Sequence, residues 1–142
     1  MPIDIRYNTL CAEDIYQHFV NCGTVIDVVD IRQHSEKLCR HATTIEVWCG
    51  DSLIGLCACY MNDDINNVAF ISHIEVLNNY KNMGVGTLIL QRTFKKAIDS
   101  GMKRIRLEVS KGNAVAFSFY IKNGFRIDGE SIKSYHMEKQ LI

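Results

Sequence analysis

The sequence predicts one mixed α/β domain, its elements in the order β-α-α-β-β-β-α-β-α-β-β, and three observations carry that prediction. Short alternating or continuous apolar runs are interleaved with stretches of helical period. Glycines and polar clusters fall where the period changes, as expected where a chain turns. At 142 residues the chain fits a single domain able to bury a real core, with no repeat, linker or low-complexity segment.

The elements follow in order. IDIRY (3–7) alternates like a strand, and CAEDIYQHFVNC (11–22) reads as a helix with Ile15, Phe19 and Cys22 on one stripe and Gly23 ending it. DIRQHSEKLCRHA (30–42) is a second helical segment. TIEVW (44–48) and LIGLCACYM (53–61) are strands joined as a hairpin through CGDS (49–52). The turn-forming MNDDINN (61–67) leads to a further strand, VAFISHIEV (68–76).

Residues 85–100 form a helix, with Ile89, Leu90, Phe94, Ala97 and Ile98 on one half of the wheel and Gln91, Arg92, Lys95, Lys96 and Asp99 on the other. Gly101 terminates it. RIRLEV (104–109) is the next strand, and SKGN (110–113) supplies a turn and an N-cap for the short helix AVAFSFYIKN (114–123), stopped by Gly124. FRIDGESIKSYHMEKQL (125–141) closes the chain as two strands with a turn near Asp128-Gly129.

Charge and composition exclude some partners. Lys plus Arg equals Asp plus Glu, so the net charge is zero, which favours neither nucleic acid nor an anionic membrane surface. The longest strongly apolar run, 53–61, is far short of the roughly 20 residues a membrane span needs. MPIDIRYNT lacks the basic and apolar regions of a signal peptide, so a cytoplasmic, soluble protein is expected. Six cysteines, at 11, 22, 39, 49, 57 and 59, form no CxxC pair. A zinc site joining Cys39 to His34 or His41 is conceivable, but free thiols used as small apolar residues fit better, and no metal is expected.

NNYKNMGVGTLILQ (78–91) carries two glycines, Gly84 and Gly86, into a helix start. A first helical turn exposes unpaired N–H groups at the positive end of the dipole, and missing Cβ atoms let a phosphate approach them. The nucleoside-triphosphate loop GxxxxGK[ST] is not met, because Thr87 and Leu88 follow Gly86. The dinucleotide fingerprint GxGxxG needs a third glycine at Ile89. Both fit poorly.

Two motifs, in order and correctly spaced, make the chain resemble the GNAT superfamily of acyl-CoA-dependent N-acetyltransferases. The first is Ile74-Glu75-Val76 followed by Lys81-Asn82-Met83-Gly84-Val85-Gly86, against the family's Arg/Gln-x-x-Gly-x-Gly/Ala loop. Lys81 departs from the usual arginine or glutamine, at a position where the backbone N–H does the binding. The second is LEVSKGNAVAFSFYIKNGF (107–125), with Asn113, Ala116, Tyr120, Gly124 and Phe125 in place. The resemblance implies a GNAT-type domain over residues 1–142, with a central mixed, mostly antiparallel sheet, and homodimerisation through strands near the C-terminus.

It also implies acetyl-CoA as acyl donor. In relatives the strand before the glycine loop bulges and splays from the next strand, and the pantetheine arm enters the gap like an added strand. By resemblance, Ile74 and Val76 offer backbone groups to it, and Lys81, Asn82, Met83, Gly84, Val85, Gly86 and Thr87 hold the pyrophosphate. Asn113 and Phe117 line the pantetheine or adenine side.

Acetyl transfer to an amine poses three problems. An alkyl ammonium of pKa near 10 is neutral about one part in a thousand at pH 7, which adds roughly 4 kcal/mol to the barrier. A carboxylate, or a water it positions, can take that proton. Negative charge develops on the carbonyl oxygen, for which a backbone N–H near Val76 is the natural donor. The departing thiolate then needs a proton, and the family's general-acid tyrosine falls at Tyr120.

The base is open between three residues. Glu108 precedes Tyr120 by the interval seen in the ribosomal-protein N-terminal alanine acetyltransferases, which this segment resembles. Many family members place a glutamate where this chain has Ser72, and His73 and Glu75 flank that position. Acceptor recognition in the family falls to segments equivalent to about 20–32 and 128–135, and neither names a substrate. A small amine, an amino sugar or amino acid derivative, is the expected acceptor. The alternatives are an N-terminal peptide amine, a non-catalytic acyl-CoA-binding module, or a purely structural partner protein.

Overall fold

The computed structural model of the chain describes residues 2–23 and 31–142. Its elements follow the predicted order: β1 (Ile3–Tyr7), α1 (Ala12–Asn21), α2 (Ile31–His41), β2 (Thr43–Cys49), β3 (Ser52–Tyr60), β4 (Val68–Val76), α3 (Val85–Asp99), β5 (Arg104–Ser110), α4 (Ala114–Lys122), β6 (Arg126–Glu130) and β7 (Ser134–Gln140). The strands form one seven-stranded sheet, β1-β2-β3-β4-β5-β7-β6. Every neighbouring pair is antiparallel except β4 and β5, so the expected mixed, mostly antiparallel α/β architecture is found.

Strand alternation divides the sheet into two apolar faces. On one face Cys57, Cys59 and Ile71 pack with Val85, Ile89, Leu90 and Ala97 of α3. On the other, Leu56 and Ala58 meet Ile15 and Phe19 of α1 and Leu38 of α2, all with no exposed surface. Burying each of these larger side chains contributes about 1.5–3 kcal/mol. Gly55 sets how closely α3 approaches. A Cβ there would lie 2.6 Å from Ile89 Cδ1 and 3.0 Å from Val85 Cγ1.

Two details differ from the sequence expectation. Ile98, expected on the buried stripe of α3, is 40 % exposed, and Thr93 is buried instead. Its Oγ1 donates to the Ile89 carbonyl at 2.8 Å, so the hydroxyl enters the core already satisfied. The closing turn is not at Asp128-Gly129. Gly129 pairs with His136 and Ile127 with Met137, which leaves Asp128 as the extra residue of a bulge inside β6. The turn is at 131–133, where Ser131 N–H donates to the Ser134 carbonyl at 2.9 Å.

The segment leading into α1 is tied to the sheet by Glu46, a carboxylate with no exposed surface. It accepts from Thr9 N–H at 2.9 Å, Thr44 Oγ1 at 2.8 Å, Trp48 Nε1 at 3.0 Å and the Thr9 hydroxyl. Four donors replace the water this carboxylate loses. All six cysteines are free thiols, and burial pushes Cys57 up to about 12, far from a reactive thiolate. Among the described residues, no helix is long and apolar enough to cross a membrane.

Candidate active site

The site begins with a break in pairing. β4 and β5 run parallel only over Val68–Phe70 and Arg104–Arg106. Beyond that point β5 stays with β7, from Leu107 to Ser110, while β4 stays with β3 as far as Val76. A bulge helps the two part: His73 faces Ala58 and Ile71 faces Cys59, which leaves Ser72 as the extra residue. The fork opens a cleft of about 510 Å³.

Hydrogen-bond alternation shows which backbone groups face the cleft. Leu77 N–H donates to the Ile54 carbonyl at 2.9 Å, so the pair one residue back, Val76 opposite Gly55, is of the non-bonded type. The same holds for Ile74 opposite Cys57. The N–H and C=O groups of Ile74 and Val76 therefore point away from β3, into space that β5 has vacated.

The loop into α3 closes one end of the cleft. Asn82 and Gly84 both adopt left-handed backbone, at φ 63° and 83°, the kind of winding that lets successive amides converge on an anion. The first intrahelical bond runs from Leu88 N–H to the Gly84 carbonyl at 3.0 Å, so the amides of Val85, Gly86 and Thr87 precede it. The two glycines do different jobs. Gly84 supplies the left-handed turn and has nothing within 4 Å of its missing Cβ; at Gly86 a Cβ would lie 3.2 Å from Phe119 Cζ. Gly86 is bare partly so that α4 can pack against α3.

The predicted residues divide by position. Ile74, Val76, Lys81, Asn82, Gly84, Gly86, Glu108, Asn113 and Tyr120 line the cleft, as do His73 and Glu75. Met83 and Thr87 are exposed and are not among the residues lining it, and the Val85 side chain turns into the core. The Phe117 ring packs on Tyr135 at 5.1 Å, while Phe119 lines the cleft in its place. Sequence reading missed Phe119. Its only signal was helical phase, since residues 116, 119 and 120 share a face of α4. Asn113 caps α4, its Oδ1 accepting from Ala116 N–H at 3.1 Å.

Tyr120 is buried, its ring edge-on to Phe125 at 5.6 Å. Burial pushes the phenol well above its ordinary range, with Cys57 and the Glu75 carboxylate adding to the effect. The hydroxyl therefore stays protonated.

On the opposite face of the fork the floor is polar. His73 lies under Phe19 of α1, ring centroids 5.0 Å apart, and its Nε2 is 2.7 Å from Nε2 of His34 on α2. Burial, then the neighbouring His34, pull His73 down to about 4. Glu75 shares that face, and its carbonyl oxygen lies 3.2 Å from His18 Nε2. Across the gap Glu108, between inward-facing Leu107 and Val109, presents its carboxylate 3.7 Å from His136 Nε2. Of the acceptor-recognition segments, 24–30 lies outside the described residues.

A forked sheet with a helix start and a buried tyrosine in one cleft defines a class, and comparison with known proteins fixes it. A sequence model of the acetyltransferase (GNAT) family matches residues 12–125, and the chain belongs to that family. It is 32 % identical over 76 residues to a spermidine N(1)-acetyltransferase of Thermoplasma acidophilum, covering 54 % of this chain and 47 % of that one. It is 30 % identical over 81 residues to a streptothricin acetyltransferase of Escherichia coli, covering 57 % and 47 %. Each match thus spans about half of the curated relative. In fold the chain superimposes with a TM-score of 0.82 on the PaiA N-acetyltransferase of Thermoplasma acidophilum in complex with coenzyme A, at 23 % identity and 99 % coverage of both chains.

Proposed function

We propose that this chain is an acetyl-CoA-dependent N-acetyltransferase that moves an acetyl group to the primary amine of a small molecule by direct attack on the thioester. The observation that carries this reading is the fork itself: Ile74 and Val76 of β4, Gly84 and Gly86 at the start of α3, and Tyr120 of α4 all line one cleft. The small amines in the names of the spermidine and streptothricin relatives support that acceptor class.

Residues 81–87 hold the pyrophosphate through main-chain N–H groups, and Ile74 and Val76 pair with the pantetheine amides as an edge strand would. Asn113 and Phe119 line the same side. The Val76 N–H faces the carbonyl oxygen and meets the charge that grows there. Tyr120 donates its hydroxyl hydrogen bond to the departing sulfur. Because burial opposes a tyrosinate, Tyr120 must regain a proton as it gives one up, and the attacking nitrogen supplies it. Glu75 and Glu108, on the two arms of the fork and on one face, favour a cationic acceptor.

Thiol release from acetyl-CoA across a panel of amines, among them spermidine, an amino sugar and an alanine-terminated peptide, tests the proposal. Acceptor-dependent release with the small amines is the expected outcome. Coenzyme A binding with no release from any amine would instead mark a non-catalytic binding module.

A further inference from the structure

The His34–His73 pair joins two elements that are 39 residues apart in sequence, at a distance of 2.7 Å between ring nitrogens. His73 lines the cleft, and His34 lies behind it on α2, half-exposed. The rings meet edge to face, centroids 4.8 Å apart at 73°, and Phe19 covers His73 from α1. On α2 the Lys37 charge acts on His34, and on β4 Glu75 stands two residues along from His73.

A contact between two Nε2 atoms has a fixed proton inventory. One ring must donate and the other accept, so a single hydrogen lies between them, and each ring keeps its Nδ1 for other partners. Two imidazolium rings would set N–H against N–H at this distance. The bonded pair can thus take up one additional proton, and a proton gained at one ring can leave from the other.

The proposed reaction needs such an exit. An ammonium acceptor loses two protons overall: one before the nitrogen lone pair attacks, and one after the C–N bond has formed. The departing sulfur takes one as the C–S bond breaks. The other must reach water.

We propose that His73 receives this surplus proton from the acceptor nitrogen, directly or through one water, and that His34 passes it to solvent. His73 is then the catalytic base, and His34 a relay residue that acts through it. The inference rests on the N-acetyltransferase reading above. Burial keeps His73 neutral in the resting cleft, and because the same burial makes it a weak base, the proton must pass on to His34 as it arrives. The device would be invisible to a search for a carboxylate base, because neither histidine alone is placed to connect cleft with solvent.

The test is chemical rescue, with spermidine as acceptor unless the panel gives a better one. His34→Ala should lower kcat about ten-fold in weakly buffering solution, with the KM for acetyl-CoA unchanged, and added 4-methylimidazole should restore it in proportion to concentration. His34→Gln keeps a hydrogen-bonding group beside His73 but cannot relay, so it should show the same loss with an unshifted melting temperature. His73→Gln should lose about 10²-fold, and His41→Ala, on the same helix, should match the wild type. Wild-type kcat in both His34 variants, or a loss that imidazole does not repair, overturns the relay while leaving the acetyltransferase reading intact. A wild-type protein that acetylates no amine overturns both.

Discussion

On the α3 side of the β4–β5 fork, the lining falls within two stretches, 71–86 and 107–120, each with its own local motif. On the α1–α2 side, His34, His73 and Phe19 reach one spot from three elements that are far apart in the chain. The first side is a backbone device: main-chain amides, two left-handed residues and an unpaired strand. The second is a side-chain device that exists only once the helices have docked. The difference predicts that damage to one side should spare the other.

The largest separation is expected at Tyr120. Tyr120→Phe should lower kcat about 10²-fold while coenzyme A binds with unchanged affinity by calorimetry. A parallel loss of binding would mean that the ring supports the cleft rather than the chemistry. Next comes Glu46→Gln, which places an amide donor against the Thr9, Thr44 and Trp48 donors and should cost about 2 kcal/mol of stability. Because it loosens the entry to α1, acceptor KM should rise with little change in coenzyme A affinity. An unfolding midpoint equal to wild type would show the buried network to be dispensable.

Gly84→Val acts on the other side. A β-branched residue at φ 83° costs about 1–2 kcal/mol in the left-handed region, so coenzyme A affinity should fall about ten-fold as the loop adjusts. Acceptor KM should hold, and equal binding by both proteins would contradict the cradle.

The last comparison is of stability against pH. Burial lowers His73 to about 4 and also pulls His18 down, so below pH 6.5 the unfolded chain binds protons that the folded chain refuses. Stability should therefore fall as pH drops from about 6.5 towards 4. Melting temperatures for wild type and His73→Gln across that window check it, the variant giving the shallower slope. Identical slopes would exclude His73 as a contributor.

How much was legible in the sequence follows the same divide. The order of elements, the glycine loop and the Asn113 cap were readable because each is written in adjacent residues. The β4 polar groups needed only a strand and a neighbour. The closing turn was misplaced because Asp128-Gly129 has turn chemistry and is used instead for a bulge, a distinction set by the register with β7. Thr93 is buried where Ile98 was expected because a threonine that bonds its own helix can be buried at little cost. Phe119 rather than Phe117 faces the cleft because the packing of Phe117 on Tyr135 fixes the rotation of α4. The His34–His73 contact has no local signal at all, since helix docking alone brings the rings together.

The central claim is that main-chain amides of the α3 entry and of β4 bind the acyl donor. Titrating coenzyme A into ¹⁵N-labelled protein tests it most directly. The account predicts that the amide resonances of Gly84, Val85, Gly86 and Thr87 move saturably, together with those of Ile74 and Val76. Resonances that stay in place there while coenzyme A binds elsewhere, or that do not respond at all, would contradict it.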